Sequence, residues 1–195
     1  MRKALITLVV LAAFWISYAI SPIVGLYHLV NAAQAGNTKA LGERIAVDDL
    51  RLSITQQLLR AYLRLTGRDK MSPLAQNLLV AAATSIADPI IAKFVSADTL
   101  VELLRDGWPK SVLPDQPGAG FSGINTANLG NAWHLFVNSE YGFGTFRISA
   151  PADVAPSQQF GLRLHLSRWT WKLAGIDLPE AIQTKLAQEI IKTNP

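Results

Sequence analysis

The sequence predicts an α+β fold: an N-terminal membrane helix, a helical half, then an antiparallel sheet of about four strands with a C-terminal helix. Three observations predict it. An uncharged apolar run follows Arg2 and Lys3, and no charged residue returns until Lys39. From Ser21 to Leu104 apolar residues recur at the three- to five-residue spacing of a helix face. After a stretch rich in glycine and proline the period drops to two, as along a strand with one buried face.

A chain of 195 residues has room for one ordinary domain behind the first segment. The expected organisation is residues 1–20 as membrane anchor or signal segment, 21–106 as a helical region, 107–131 as a Gly/Pro-rich loop, and 132–195 as the sheet with its terminal helix. Residues 21–195 are expected to form one domain. Half of the residues are hydrophobic and 16% are charged, which excludes a disordered chain. Of the 18 Lys and Arg residues, Arg2 and Lys3 belong to the targeting segment, leaving 16 bases against 14 acids. That balance offers no phosphate-binding face, so no nucleic acid is expected as a partner. The chain has no cysteine, which excludes disulfides, thiolate metal sites and a cysteine nucleophile.

Positive charge at the front of Ala4–Ile20 and none behind it places the N-terminus in the cytoplasm and the rest across the membrane. Two readings of the segment stand. Ser17-Tyr18-Ala19 has the small-x-small form of a signal peptidase site, so cleavage would release the protein to the periplasm. Against cleavage, Ala4 to Ile20 reaches the lower end of the roughly 17–25 residues of a spanning helix, and Trp15 and Tyr18 sit where an interfacial aromatic belt would. The balance favours an uncleaved anchor, a single pass through the inner membrane with the C-terminal domain in the periplasm.

Ser21-Pro22 has the form of a helix start and Gly36 of a stop, with Leu26, Leu29, Val30 and Ala33 on one face between them. This helix either continues the anchor through a proline kink or breaks from it. Leu41, Ile45, Leu50, Ile54, Leu58, Tyr62 and Leu65 extend the helical pattern to Gly67, with an interruption around Val47-Asp48. Met71-Ser72-Pro73 opens another helix, which Asp88-Pro89 should kink or end, and Ser96 caps a short one through Leu100, Leu103 and Leu104.

Behind the loop Trp133, Leu135 and Val137 alternate as a first strand. After a turn at Tyr141-Gly142 a second runs from Phe143 to Ser149, with Phe146 and Ile148 inward and a possible bulge at Gly144. Phe160, Leu162, Leu164 and Leu166 alternate in one phase, and Trp169, Trp171 and Leu173 in the other. The flip at Ser167-Arg168 requires a tight turn or bulge. Leu178-Pro179-Glu180 then starts a helix with Ile182, Leu186 and Ile190 on one stripe.

Ser21-Pro22, Leu26-Tyr27, Leu29, Ala32 and Gly36-Asn37, then Leu50-Arg51-x-Ser53-Ile54 with Gln57-Leu58, and finally Trp171-x-Leu173, Ile176 and Leu178-Pro179 resemble the landmarks of the bacterial Domain of Unknown Function 2939 family. The resemblance brackets almost the whole chain behind the apolar run. It implies a membrane-associated or exported protein and supplies no activity. The chain departs from the family pattern in carrying Asn37 where an aspartate is usual and Ile45-Ala46 where a Val-Asp step would align. Such departures point to a structural role for those carboxylates, with Asp48 as a substitute helix cap.

Catalytic chemistry finds no pattern. Gly118-Ala119-Gly120-Phe121-Ser122-Gly123 spells a dinucleotide fingerprint, but prolines precede it and no helix pattern follows, so it reads as a loop and no cofactor is expected. His28, His134 and His165 are isolated, with no carboxylate at ligand spacing, so no metal is expected. Arg60, Arg64 and Arg68 form one basic helix face that is either solvated or a membrane-surface contact. Trp133, Phe146, Phe160, Trp169 and Trp171 give the sheet an apolar face that is either core or, if incompletely covered, a pocket for lipid or another apolar ligand.

The expectation is therefore a non-enzymatic, membrane-tethered binding module, with lipid or a protein as candidate partners. Two rivals stand beside it. One is a hydrolase or transferase using His134, His165, Asp153 or Glu140, and the other a structural subunit of a membrane complex.

Overall fold

The computed structural model describes residues 2–67, 89–115, 121–127, 129, 135, 137 and 139–193. One helix, α1 (Arg2–Gln34), takes in both the apolar run and the Ser21-Pro22 step, so the second helix continues the first. Pro22 has no N–H for the Tyr18 carbonyl, and the Ser21 hydroxyl donates to that carbonyl at 2.8 Å instead. At the other end Gly36 adopts φ +63°. Its N–H donates to Ala33 O and that of Asn37 to Ala32 O, which closes the helix in a Schellman arrangement.

Two helices follow, α2 (Thr38–Glu43) and α3 (Val47–Leu65). Asn37 caps α2 by accepting from the Ala40 N–H at 3.0 Å, a task an amide oxygen performs as well as a carboxylate. The N-cap of α3 is Ala46, without a side-chain bond; Asp48 lies in the first turn, so it faces the positive helix end rather than capping it. Of the helix expected from Met71, only residues from 89 onward are described, and 89–94 are helical. Ser96 caps α4 (Ala97–Asp106), accepting from the Thr99 N–H, and Gly107 ends it at φ +77°.

The sheet holds β1 (Ser139–Gly142), β2 (Thr145–Ala150), β3 (Phe160–Ser167) and β4 (Thr170–Asp177) in the order 1-2-3-4, all antiparallel, and α5 (Glu180–Thr193) ends the fold. The first strand differs from expectation. Leu135 and Val137 are helical, and pairing starts at Ser139, so the turn falls on Phe143-Gly144 rather than Tyr141-Gly142. An alternation of three residues is too short to separate a strand from a helix. The phase flip at Ser167 is a tight turn on Arg168 and Trp169, both with positive φ. The bulge lies at Ala174: Arg163 pairs with Gly175 and Leu164 with Leu173, which moves Ile176 onto the same face as Trp171 and Leu173.

That face, with Phe146, Ile148, Phe160, Leu162 and Leu164, forms a single core with Leu26, Leu29 and Val30 of α1 and Leu50, Ile54 and Leu58 of α3. Leu178, Ile182 and Leu186 complete it. Burying each of these side chains is worth on the order of 1.5–3 kcal/mol. The edge of β4 is closed by the chain between α2 and α3. Leu173 N–H donates to Arg44 O at 2.7 Å, and Ala46 N–H to Leu173 O at 2.9 Å. The expected interruption before α3 thus serves to cover an edge strand.

Candidate functional site

The other face of the sheet is polar. Thr145, Arg147, Arg163, His165 and Lys172 alternate with the core residues, and α3 runs beside them along β4. Between α3 and this face lies an open cleft of about 660 Å³, lined by Asp49, Leu52, Ser53 and Gln56 on one side and by Glu140, Tyr141, Arg147, Arg163 and His165 on the other.

One ion network organises its floor. The Arg163 guanidinium donates to Ser53 Oγ at 2.8 Å and to Asp177 Oδ1 at 3.2 Å. Arg147 donates to Asp177 Oδ2 at 2.7 Å and approaches Glu140 at 3.5 Å. Two glycines make room for it. A Cβ on Gly175 would stand 2.9 Å from the Arg163 guanidinium, and one on Gly161 would stand 2.8 Å from the Asp177 carboxylate. Each arginine has N–H donors beyond these bonds, since a guanidinium carries five, and both line the open cleft. Burial pushes the Tyr141 phenol above its ordinary range, against a hydrogen bond from Ser139, so it stays a neutral donor and acceptor.

Gln57 joins α3 to β4. Its amide donates to Ile176 O at 2.7 Å and accepts the Leu178 N–H at 2.8 Å, standing in for a neighbouring strand. A second junction ties α1 to the sheet. Trp171 Nε1 donates to Ser21 Oγ at 2.9 Å, Gly144 N–H donates to Tyr18 Oη at 2.9 Å, and Gly25 lets Trp171 approach, because a Cβ there would lie 2.5 Å from Trp171 Cβ.

Residues 11–103 match the model of a family described as a protein of unknown function, DUF2939. Over those residues, just under half of the chain, the protein is similar to that family. In DUF2939 terms the matched residues run from within the apolar part of α1 to α4, including both the Tyr18–Ser21 junction and Gln57. The C-terminal landmarks lie outside the match, yet the fold brings them to it: Trp171 meets Ser21, while Ile176 and Leu178 meet Gln57. No curated protein and no solved structure matches the chain.

Of the expected ligand residues, Phe146, Phe160 and Trp171 are at most 5% exposed and belong to the core; Trp169 stands in a turn, 89% exposed. Trp133 lies outside the described residues, as do Arg68 and His134. Arg64 pairs with Glu180 at 3.0 Å, and Arg60 donates to Gln56 O. Both line a recess with Asp177 and Gln183, at the end of β4 away from Trp169. Glu140 and His165 share the cleft without a hydrogen bond between them, and Asp153 is exposed in the β2–β3 loop at the opposite end of the sheet from His165. Among the described residues no group of His, Asp and Glu could hold a metal ion. Gly123 of the glycine-rich run packs against α4, where a Cβ would meet Arg105 O, and Ile124 N–H donates to Leu104 O.

The Arg147–Asp177–Arg163 network escapes the sequence reading. Its signal is the polar phase of the strands whose apolar phase marks the core, but only the register, including the bulge at Ala174, places the three side chains together.

Proposed function

We propose that this protein is a single-pass, membrane-anchored, non-enzymatic binding module with its folded domain in the periplasm. The observation that carries this reading is the continuity of α1. Its first part, from Lys3 to Ser17, is exposed throughout and apolar behind Lys3; its second part is core, with Leu26, Leu29 and Val30 at most 1% exposed. An 18-residue window of this helix has mean hydropathy 2.2 and none of it is buried, which suits lipid and not water. Cleavage after Ala19 would discard Tyr18, whose hydroxyl holds the β1–β2 turn, so the segment works as an anchor rather than a disposable signal. Arg2 and Lys3 set the orientation, with the domain on the far side from the cytoplasm.

With the apolar sheet face packed, the surface left for a ligand is the polar cleft. Its arginine guanidinium groups beside the exposed Leu52 suit a ligand with an anionic or zwitterionic head and a short apolar part, such as a lipid headgroup. The test is to purify the full chain in mild detergent, extract it with organic solvent and identify co-purifying molecules by mass spectrometry, beside Arg163→Ala with a verified thermal transition. A stoichiometric ligand present with the native chain and lost in the variant supports the cleft. A folded native chain with nothing bound removes it.

A further inference from the structure

Two large side chains are left in solvent where packing gives them nothing to do. Phe143 is 101% exposed and Trp169 is 89% exposed. Each sits at a hairpin tip, Phe143 beside Gly144 between β1 and β2, and Trp169 beside Arg168 between β3 and β4. Turns favour small and polar residues, so two bulky aromatics there call for a function.

Both tips lie at one end of the sheet, because Thr145 pairs with His165 and Ser167 with Thr170. α1 supplies the level. Tyr18 Oη accepts the Gly144 N–H, and a groove of about 550 Å³ between α1 and the other tip is lined by Ile16, Ile20, Val24 and Trp169. The tips are therefore level with residues 16–24 of the helix.

Length decides what surrounds that level. The part of α1 that stands clear of the domain runs from Lys3 to Ser17. At about 1.5 Å per residue it is about 22 Å long, against a hydrocarbon core of about 30 Å. The missing ~8 Å can come only from the next turn and a half of α1, the part flanked by the two hairpins. Whatever stands level with those turns must enter the lipid with them. Arg44, Arg168 and Lys172 gather around a neighbouring groove with a single acid, Glu43, and form no ion pair among the described residues, as suits contact with phosphates.

We propose that Phe143 and Trp169 insert into the interface of an anionic phospholipid bilayer, with Arg44, Arg168 and Lys172 on the headgroups, so that the domain is seated on the membrane in one orientation. The proposal rests on α1 being a retained anchor. The Trp169 indole, an apolar ring with one N–H, prefers this zone, and the hydrocarbon ring of Phe143 gains by leaving water for it.

The chain has no cysteine, which permits single spin labels at Leu8→Cys, Phe143→Cys, Trp169→Cys and Asp153→Cys in full-length protein. Arg168→Cys, which keeps Trp169, provides a second reading of that tip. In nanodiscs of phosphatidylcholine and phosphatidylglycerol, collision with oxygen is compared with collision with a water-soluble nickel chelate. The expected result is a several-fold preference for oxygen at 8, 143 and 169, an intermediate ratio at 168, and the reverse at 153. Labels at 143, 168 and 169 that behave as the label at 153 does, while 8 remains in lipid, overturn the seating and leave the anchor standing. A water-exposed label at 8 overturns both.

Discussion

Trp171 Nε1 donates to Ser21 Oγ at 2.9 Å, and the same hydroxyl donates to the Tyr18 carbonyl that Pro22 leaves without a partner. One serine thus repairs a helix and fixes it to the sheet. Trp171 is 5% exposed, so its N–H has no water to fall back on. Ser21→Ala should cost about 1–3 kcal/mol, the penalty for an unsatisfied buried donor. A double-mutant cycle with Trp171→Phe, by denaturant unfolding in detergent micelles, should show a coupling of about 1 kcal/mol. Strictly additive effects would mean that the bond does not hold the helix to the sheet.

Two glycines on neighbouring helices should respond oppositely to a methyl group. Gly25→Ala places a Cβ 2.5 Å from Trp171 Cβ and should destabilise by about 1–3 kcal/mol. Gly42→Ala meets nothing within 4 Å and should be neutral or stabilising by up to about 1 kcal/mol. Melting temperatures of the pair, measured side by side, decide the matter.

Gln57→Ala leaves the Ile176 carbonyl and the Leu178 N–H without their partner and should cost about 2–4 kcal/mol. Gln56→Ala, one residue away on the exposed side of α3, should change stability by less than about 0.5 kcal/mol. Amide exchange at Leu178 should accelerate in the first variant only.

The Asp106 carboxyl is held below the usual carboxylate range by its hydrogen bond from Arg105, which outweighs the opposing effect of burial. A depressed carboxylate contributes stability above its unfolded value of about 3.9 and loses it as pH falls through the folded one. Asp106→Asn should therefore trail the native chain slightly at neutral pH, and the gap should close below about pH 4. A gap that widens in acid would show the sign to be wrong.

The core was legible because period is a direct image of burial: α1, α3 and the Phe160–Leu166 strand all show it. Ser96 and Gly36 announced their helix ends for the same local reasons. The Leu135 stretch was misread because three alternating residues fit either period, and Trp169 because a turn at Arg168-Trp169 uses positive φ without a glycine. The cleft was illegible for a different reason. Arg147, Arg163 and Asp177 are far apart in sequence, and only strand register and the bulge at Ala174 bring them together.

The central claim is that α1 is one uncleaved helix joining the bilayer to the core. Intact mass spectrometry of the protein extracted from membranes of expressing cells tests it most directly. The account predicts a membrane-bound species at the full-length mass of 21.2 kDa. A soluble species beginning at Ile20 would contradict it.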